Sequence, residues 1–88
     1  MRIAEIIWDG DSLAHIARHG VEPSEAEEAC FSGKPYILKA RHNRYIVLSQ
    51  TKSGRYLALI LICVGQGKAK VITARAMSEA ERKLYKRR

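Results

Sequence analysis

From Tyr56 to Val64 the chain reads Tyr-Leu-Ala-Leu-Ile-Leu-Ile-Cys-Val, nine residues without a charge. Lys52-Ser53-Gly54 precedes this stretch and Gly65-Gln66-Gly67 follows it, both of them turn-forming sequences. A run this short cannot cross a bilayer as a helix, which takes about 20 apolar residues. Bounded by turns, it reads as a strand from Arg55 to Val64 with both faces covered, the centre of a sheet.

The neighbouring segments supply that sheet. Tyr36 to Ala40 and Arg44 to Thr51 are strands joined by the turn Arg41-His42-Asn43. In the second of them Tyr45, Val47 and Ser49 share one face, and Ile46, Leu48 and Gln50 the other. Lys68 to Arg75 is the last strand, and Ile3 to Trp8 is a short apolar strand at the start.

Three helices are predicted. One follows Asp9-Gly10-Asp11-Ser12, with Asp11 or Ser12 as its cap, and closes at His19-Gly20. A second opens at Pro23, suited to a first helical position, and ends by Gly33 and Pro35. The third runs from about Glu79 to Lys86 behind Ser78-Glu79-Ala80-Glu81, a capping box. The order β-α-α-β-β-β-β-α predicts a single α+β domain over residues 1–88, a curled antiparallel sheet with helices packed against it.

Charge is distributed unevenly. Residues 1–33 hold two bases against seven acids, whereas residues 34–88 hold fourteen bases against two acids. The formal net charge is +7. A basic half interleaved with strands points to a polyanionic partner, RNA among them. The start of the chain lacks the apolar core of a signal peptide, so a soluble, cytoplasmic protein with no membrane partner is expected. Cys30 and Cys63 lie in apolar stretches and read as small buried hydrophobes, without zinc spacing. No cofactor is implied.

Several side chains fit phosphate chemistry. Arg44 and Arg55 open strands and Arg75 ends one. In an antiparallel meander Arg55 and Arg75 fall at the same edge of the sheet and Arg44 toward the other. A guanidinium fork matches two phosphate oxygens. Convergence of Arg55 and Arg75 on one electropositive concavity is therefore expected. Glu81 is either a cap residue or a partner or base beside Arg75. Tyr85, one turn on, is either a half-buried aromatic or a proton acceptor. His15 and His19 lie one helical turn apart. Histidine is a natural acid or base in RNA cleavage. His42 reads as exposed in its turn, and Trp8 as a packing residue. Arg18, Arg44, Lys70, Arg82 and Lys86 are candidate RNA contacts.

Trp8-Asp9, His15-Ile16-Ala17-Arg18-His19-Gly20-Val21, Gly54-Arg55-Tyr56-Leu57, Val71-Ile72-Thr73-Ala74-Arg75 and Glu81-Arg82-Lys83-Leu84-Tyr85 together resemble the BrnT family of bacterial toxins. The resemblance implies a RelE-like fold and a metal-independent ribonuclease that arrests translation. It also implies an antitoxin encoded beside it that holds it inactive. Arg18, His19, Arg55, Arg75, Glu81 and Tyr85 match the family's motif positions. Three positions depart from the pattern. Lys70 stands where arginine is common, Ala76 where a charged or polar residue is common, and His15 where many members have asparagine. The alternative to catalysis is a binding module for RNA or a protein partner, and a weaker one is a purely structural interaction domain.

Overall fold

A computed structural model describes residues 3–88. In chain order these form β1 (Glu5–Ile7), α1 (Gly10–Arg18), α2 (Pro23–Phe31), β2 (Tyr36–Lys39), β3 (Arg44–Gln50), β4 (Tyr56–Gly65), β5 (Lys68–Ala76) and α3 (Glu79–Arg87). The spatial order of the strands is β1-β5-β4-β3-β2, with β4 in the middle. The architecture is α+β, an open five-stranded sheet with three helices.

Two expectations, of pairing and of capping, need correction. The sheet is mixed rather than wholly antiparallel, because β1 pairs with β5 in parallel, Ile6 opposite Ala69. Two helices lie between β1 and the antiparallel part, so the first strand is free to join the far edge in either sense. In addition, α1 starts one residue after Asp9, which is its cap. Asp9 Oδ1 accepts from the Ser12 amide at 2.8 Å and Ser12 Oγ accepts from the Asp9 amide at 3.0 Å. This reciprocal pair satisfies more orphan groups than a cap at Asp11 or Ser12 would.

The alternation of β4 sorts the core into two layers. Leu57, Leu59 and Leu61 pack with Val47, Ile16, Ala26, Ala29, Val71 and Ala74 beneath α1 and α2. All three leucines are fully buried, and each contributes about 1.5–3 kcal/mol by leaving water. On the opposite face Leu48 and Ala58 pack with Met77 and Tyr85 beneath α3. That layer is short. Ile60 and Ile62, further along β4, are only partly covered, so β4 is buried on both faces at one end alone. Gly33 lets the end of α2 lie on β3. A Cβ there would stand 2.6 Å from Ser49 Oγ and 2.9 Å from the Gln50 carbonyl oxygen.

One irregularity decides where side chains point. Leu61 pairs with Val71 but Ile60 pairs with Thr73, so Ile72 is an extra residue, a β-bulge. Ahead of the bulge, Ala69 and Val71 face α1 and α2. Beyond it, Ala74 does so, and Arg75 turns to the α3 face opposite Ala58.

Candidate nucleic-acid interface

Arg75 leaves β5 on the α3 face and meets Glu81 in the first turn of α3. Nη1 donates to Oε1 at 2.7 Å and Nη2 to Oε2 at 3.0 Å, a two-pronged pair. Glu81 Oε1 also accepts from the Ser78 amide at 2.8 Å, closing the capping box. The carboxylate thus clamps the strand end to the helix start. The Arg75 hydrogen bond, ahead of the Ser78 amide, holds the Glu81 carboxyl at about 2, against an ordinary value of 4.5.

A folded-state value below the unfolded one adds stability that is fully present above about pH 4.5. That stability is lost as pH falls through about 2. Glu81→Gln is therefore expected to lower the melting temperature at neutral pH, and the gap to the unaltered chain should close on acidification below 4.5. Thermal unfolding of both proteins across this range checks it. A gap that stays constant would mean the charge contributes nothing.

Arg55 lies on the other face. Its residue parity is that of Leu57, and its guanidinium reaches α2 and the α1–α2 connection. Nη1 donates to both Glu25 oxygens at 2.9 Å and to the Gly20 carbonyl at 3.0 Å. Glu25 in turn accepts from the Glu22 amide at 3.0 Å. That amide, more than Arg55 itself, pulls the Glu25 carboxyl below its ordinary range. All of the guanidinium's hydrogen bonds run through one nitrogen. Among the described residues Nε and Nη2 have no hydrogen-bond partner, and the side chain is 38% exposed. The expected single concavity shared by Arg55 and Arg75 does not form. The two stand at the same end of the sheet on opposite faces, each held by a carboxylate, because the bulge at Ile72 reverses the side of Arg75.

Gly20, whose carbonyl Arg55 holds, directly follows His19, the C-cap of α1. The rings of His15 and His19 are 5.9 Å apart, tilted 35°. Both residues are exposed, as is Arg18 beside them. No group of three metal-ligating side chains occurs among the described residues. Lys70 is occupied by an ion pair with Asp9, whose carboxyl it holds down to about 2. Arg44 is exposed at the far end of the α3 face, opposite Ile62, away from Arg55 and Arg75.

Tyr85 is an anchor. It is 6% exposed, and its hydroxyl donates to the Lys34 carbonyl at 3.0 Å. The Arg88 guanidinium covers its ring at 3.8 Å, and Tyr56 meets it edge-on at 6.2 Å. The Tyr56 ring carries two cations in turn, Arg82 at 4.5 Å and Lys86 at 5.3 Å.

Sequence reasoning missed a cleft of about 470 Å³ between the ends of α2 and α3 and the β3–β4 hairpin. Lys34, Gln50, Lys52, Tyr56, Lys86 and Arg88 line it. Of these only Lys86 stood out in the sequence as an RNA contact. The others come from three segments that no spacing rule links. A basic residue in each of those segments was the one available signal.

No protein-family model and no curated protein matches the chain. Among solved structures, the crystal structure of the Brucella abortus ribonuclease toxin BrnT matches with a TM-score of 0.65 and 26% identity. The match covers 85% of this chain and 97% of that one. The fold is BrnT-like, in agreement with the resemblance read from the motifs.

Proposed function

We propose that this chain is a BrnT-like toxin, an endoribonuclease that cuts RNA without a metal and is held inactive by an antitoxin protein. The observation that carries the reading is the likeness to the Brucella ribonuclease toxin over nearly the whole of that toxin's length. The charge of the second half supports it. No helix among the described residues is long and apolar enough to cross a membrane, and a cytoplasmic site of action fits an RNA substrate.

The reaction assigned here is attack of an RNA 2′-oxygen on the adjacent phosphorus. The 2′-oxygen loses its proton to a base as the new P–O bond forms. The bond to the 5′-oxygen breaks, and that oxygen takes a proton from an acid. Products end in a 2′,3′-cyclic phosphate and a 5′-hydroxyl. Negative charge grows on the non-bridging oxygens, where fixed donors act most strongly.

Arg55 is the donor best placed for this role. Glu25 and Gly20 fix its Nη1, so Nε and Nη2 are oriented without being used. His19, next to Gly20, is assigned as base and His15 as its partner acid, since an imidazole can both take and give a proton in RNA cleavage. Glu81, with its carboxyl held at about 2, is too weakly basic for the task and instead positions Arg75. The Tyr85 hydroxyl already donates its proton to a carbonyl. Arg75, Arg82 and Lys86 hold the strand where it crosses the rim of the sheet, with Arg18 on the histidine side and Arg44 further along. Lys70 serves RNA only by leaving Asp9.

A non-catalytic binding module is the second reading. Its support is that Arg55, Lys70 and Arg75 all sit in ion pairs with carboxylates. Purified protein incubated with RNA in excess EDTA separates the two. The expected result is cleavage with cyclic-phosphate ends. Binding of RNA that stays intact would replace the enzyme with the module.

A further inference from the structure

We propose that the cleft between α3 and the β3–β4 hairpin is a nucleotide subsite, which takes one unpaired base and the phosphate beside it and so sets sequence preference. The inference rests on the ribonuclease reading for its RNA. It deepens that reading by naming where a base away from the scissile link is held.

The geometry supports a base in three ways. The volume, about 470 Å³, is that of a small-molecule pocket, commonly about 300–1,000 Å³. One wall is Tyr56, an aromatic ring that is only partly buried. Stacking of an unpaired base on such a ring is the usual device for holding single-stranded RNA. Gln50 is also at hand. Its side-chain amide donates to the Gly54 carbonyl at 3.4 Å, a long bond easily exchanged for one to a base edge.

The rim of the cleft suits a phosphate. Lys34, Lys52 and Lys86 stand around it, and among the described residues none of the three forms an ion pair, while Arg88 is bonded to the Tyr85 and Lys34 carbonyls. The one acid in the lining, Glu28, is engaged with the backbone amide of Lys52 at 2.9 Å. Lys86 now rests 5.3 Å from the Tyr56 centroid. A base entering over that ring displaces the Lys86 ammonium, and with it the Arg82 guanidinium at 4.5 Å, toward the phosphate, so the cation–π contacts are exchanged for ion pairs.

The cleft also connects to the reacting centre. Thr51 lines it, and Thr51 Oγ1 accepts from the backbone amide of Arg55 at 3.1 Å. A strand with its scissile link at Arg55 and His19 runs around the hairpin and drops a neighbouring base against Tyr56.

The test uses the four nucleoside 5′-monophosphates, with inorganic phosphate as the control, titrated into the full chain by amide NMR. Nucleotides are expected to shift Gln50, Lys52, Tyr56 and Lys86 together, and phosphate alone to leave Tyr56 in place. Tyr56→Leu should weaken nucleotide binding about 5- to 150-fold, the range for losing one base–aromatic stack. It should also flatten the cleavage-site preference on a mixed-sequence RNA.

Equal shifts from phosphate alone, or shifts confined to α1, would overturn the subsite. The titration of the unaltered chain decides the matter even if Tyr56→Leu fails to fold. Cleavage with unchanged site preference in Tyr56→Leu, together with no nucleotide shifts, ends the subsite and leaves the ribonuclease standing. Nucleotide shifts at the cleft in a protein that cuts no RNA end the ribonuclease and leave the subsite.

Discussion

Arg55→Ala is expected to lower RNA cleavage about 100- to 1,000-fold, the usual cost of losing one donor to a developing oxyanion. Its fold should survive. The Arg55–Glu25 pair is partly exposed, with Arg55 38% and Glu25 24% accessible, and such pairs are worth about 0–1 kcal/mol. The loss is thus predicted in the rate and not in the melting temperature, and single-turnover cleavage beside a thermal melt reads both. Arg55→Lys should rescue little. An ammonium that holds Glu25 and the Gly20 carbonyl has no second nitrogen left for a phosphate. Cleavage by Arg55→Ala at the unaltered rate would remove the reacting centre from the α1 end of the molecule.

Arg75→Ala makes the informative comparison. Both terminal guanidinium nitrogens of Arg75, Nη1 and Nη2, are given to Glu81. Its removal leaves Glu81 bonded to the Ser78 amide. The pair is as exposed as that of Arg55, at 38% and 23%. The cost in stability is again about 0–1 kcal/mol, and the fall in cleavage should be smaller than in Arg55→Ala. The two arginines looked alike in the sequence because both stand at strand ends. The structure separates them by what each is already holding.

Most of the fold was legible, and for identifiable reasons. Turn residues bracket the apolar run of β4, and period-two alternation in β3 gave the right faces. Ser78 and Glu81 cap α3 as their spacing required, and the left-handed Gly20 closes α1. The arginine pair could not be read the same way. Plain alternation from Ala69 and Val71 puts Arg75 on the side of Leu57 and Arg55. One inserted residue, Ile72, sends it to the other side, and nothing in Val71-Ile72-Thr73 marks a bulge. Strand parity fails as soon as a single unpaired residue enters a strand.

The parallel pairing of β1 and the covering of β4 at one end alone were hidden for a related reason. Both depend on how far a short helix or strand reaches across the sheet, which composition does not encode. The cleft lay further out of reach, since it exists only where the ends of α2, α3 and a hairpin meet.

Tyr85 offers the second large effect, and it distinguishes an anchor from a proton acceptor. Tyr85→Ala is expected to destabilise the domain by about 3–5 kcal/mol, as large aromatic deletions do. Tyr85 is the buried residue of α3 in the core layer with Leu48, Ala58 and Met77, and Leu84 packs beside it partly covered. Without it, α3 loses its hold on the sheet. Glu81 then leaves Arg75, and Arg82 and Lys86 leave Tyr56. Tyr85→Phe keeps the ring and loses only the bond to the Lys34 carbonyl, which Arg88 also reaches at 3.0 Å. The cost should therefore be about 0.5–1.5 kcal/mol. Urea unfolding of the two variants gives the stabilities, and cleavage by Tyr85→Phe gives the role. A phenol that accepted the 2′-hydroxyl proton would make its loss felt as a rate decrease of about 100- to 10,000-fold. An anchoring ring predicts cleavage close to that of the unaltered chain. The larger loss in Tyr85→Phe, with the fold intact, would move the base from His19 to α3 and bring the reacting phosphate onto the Arg75 face.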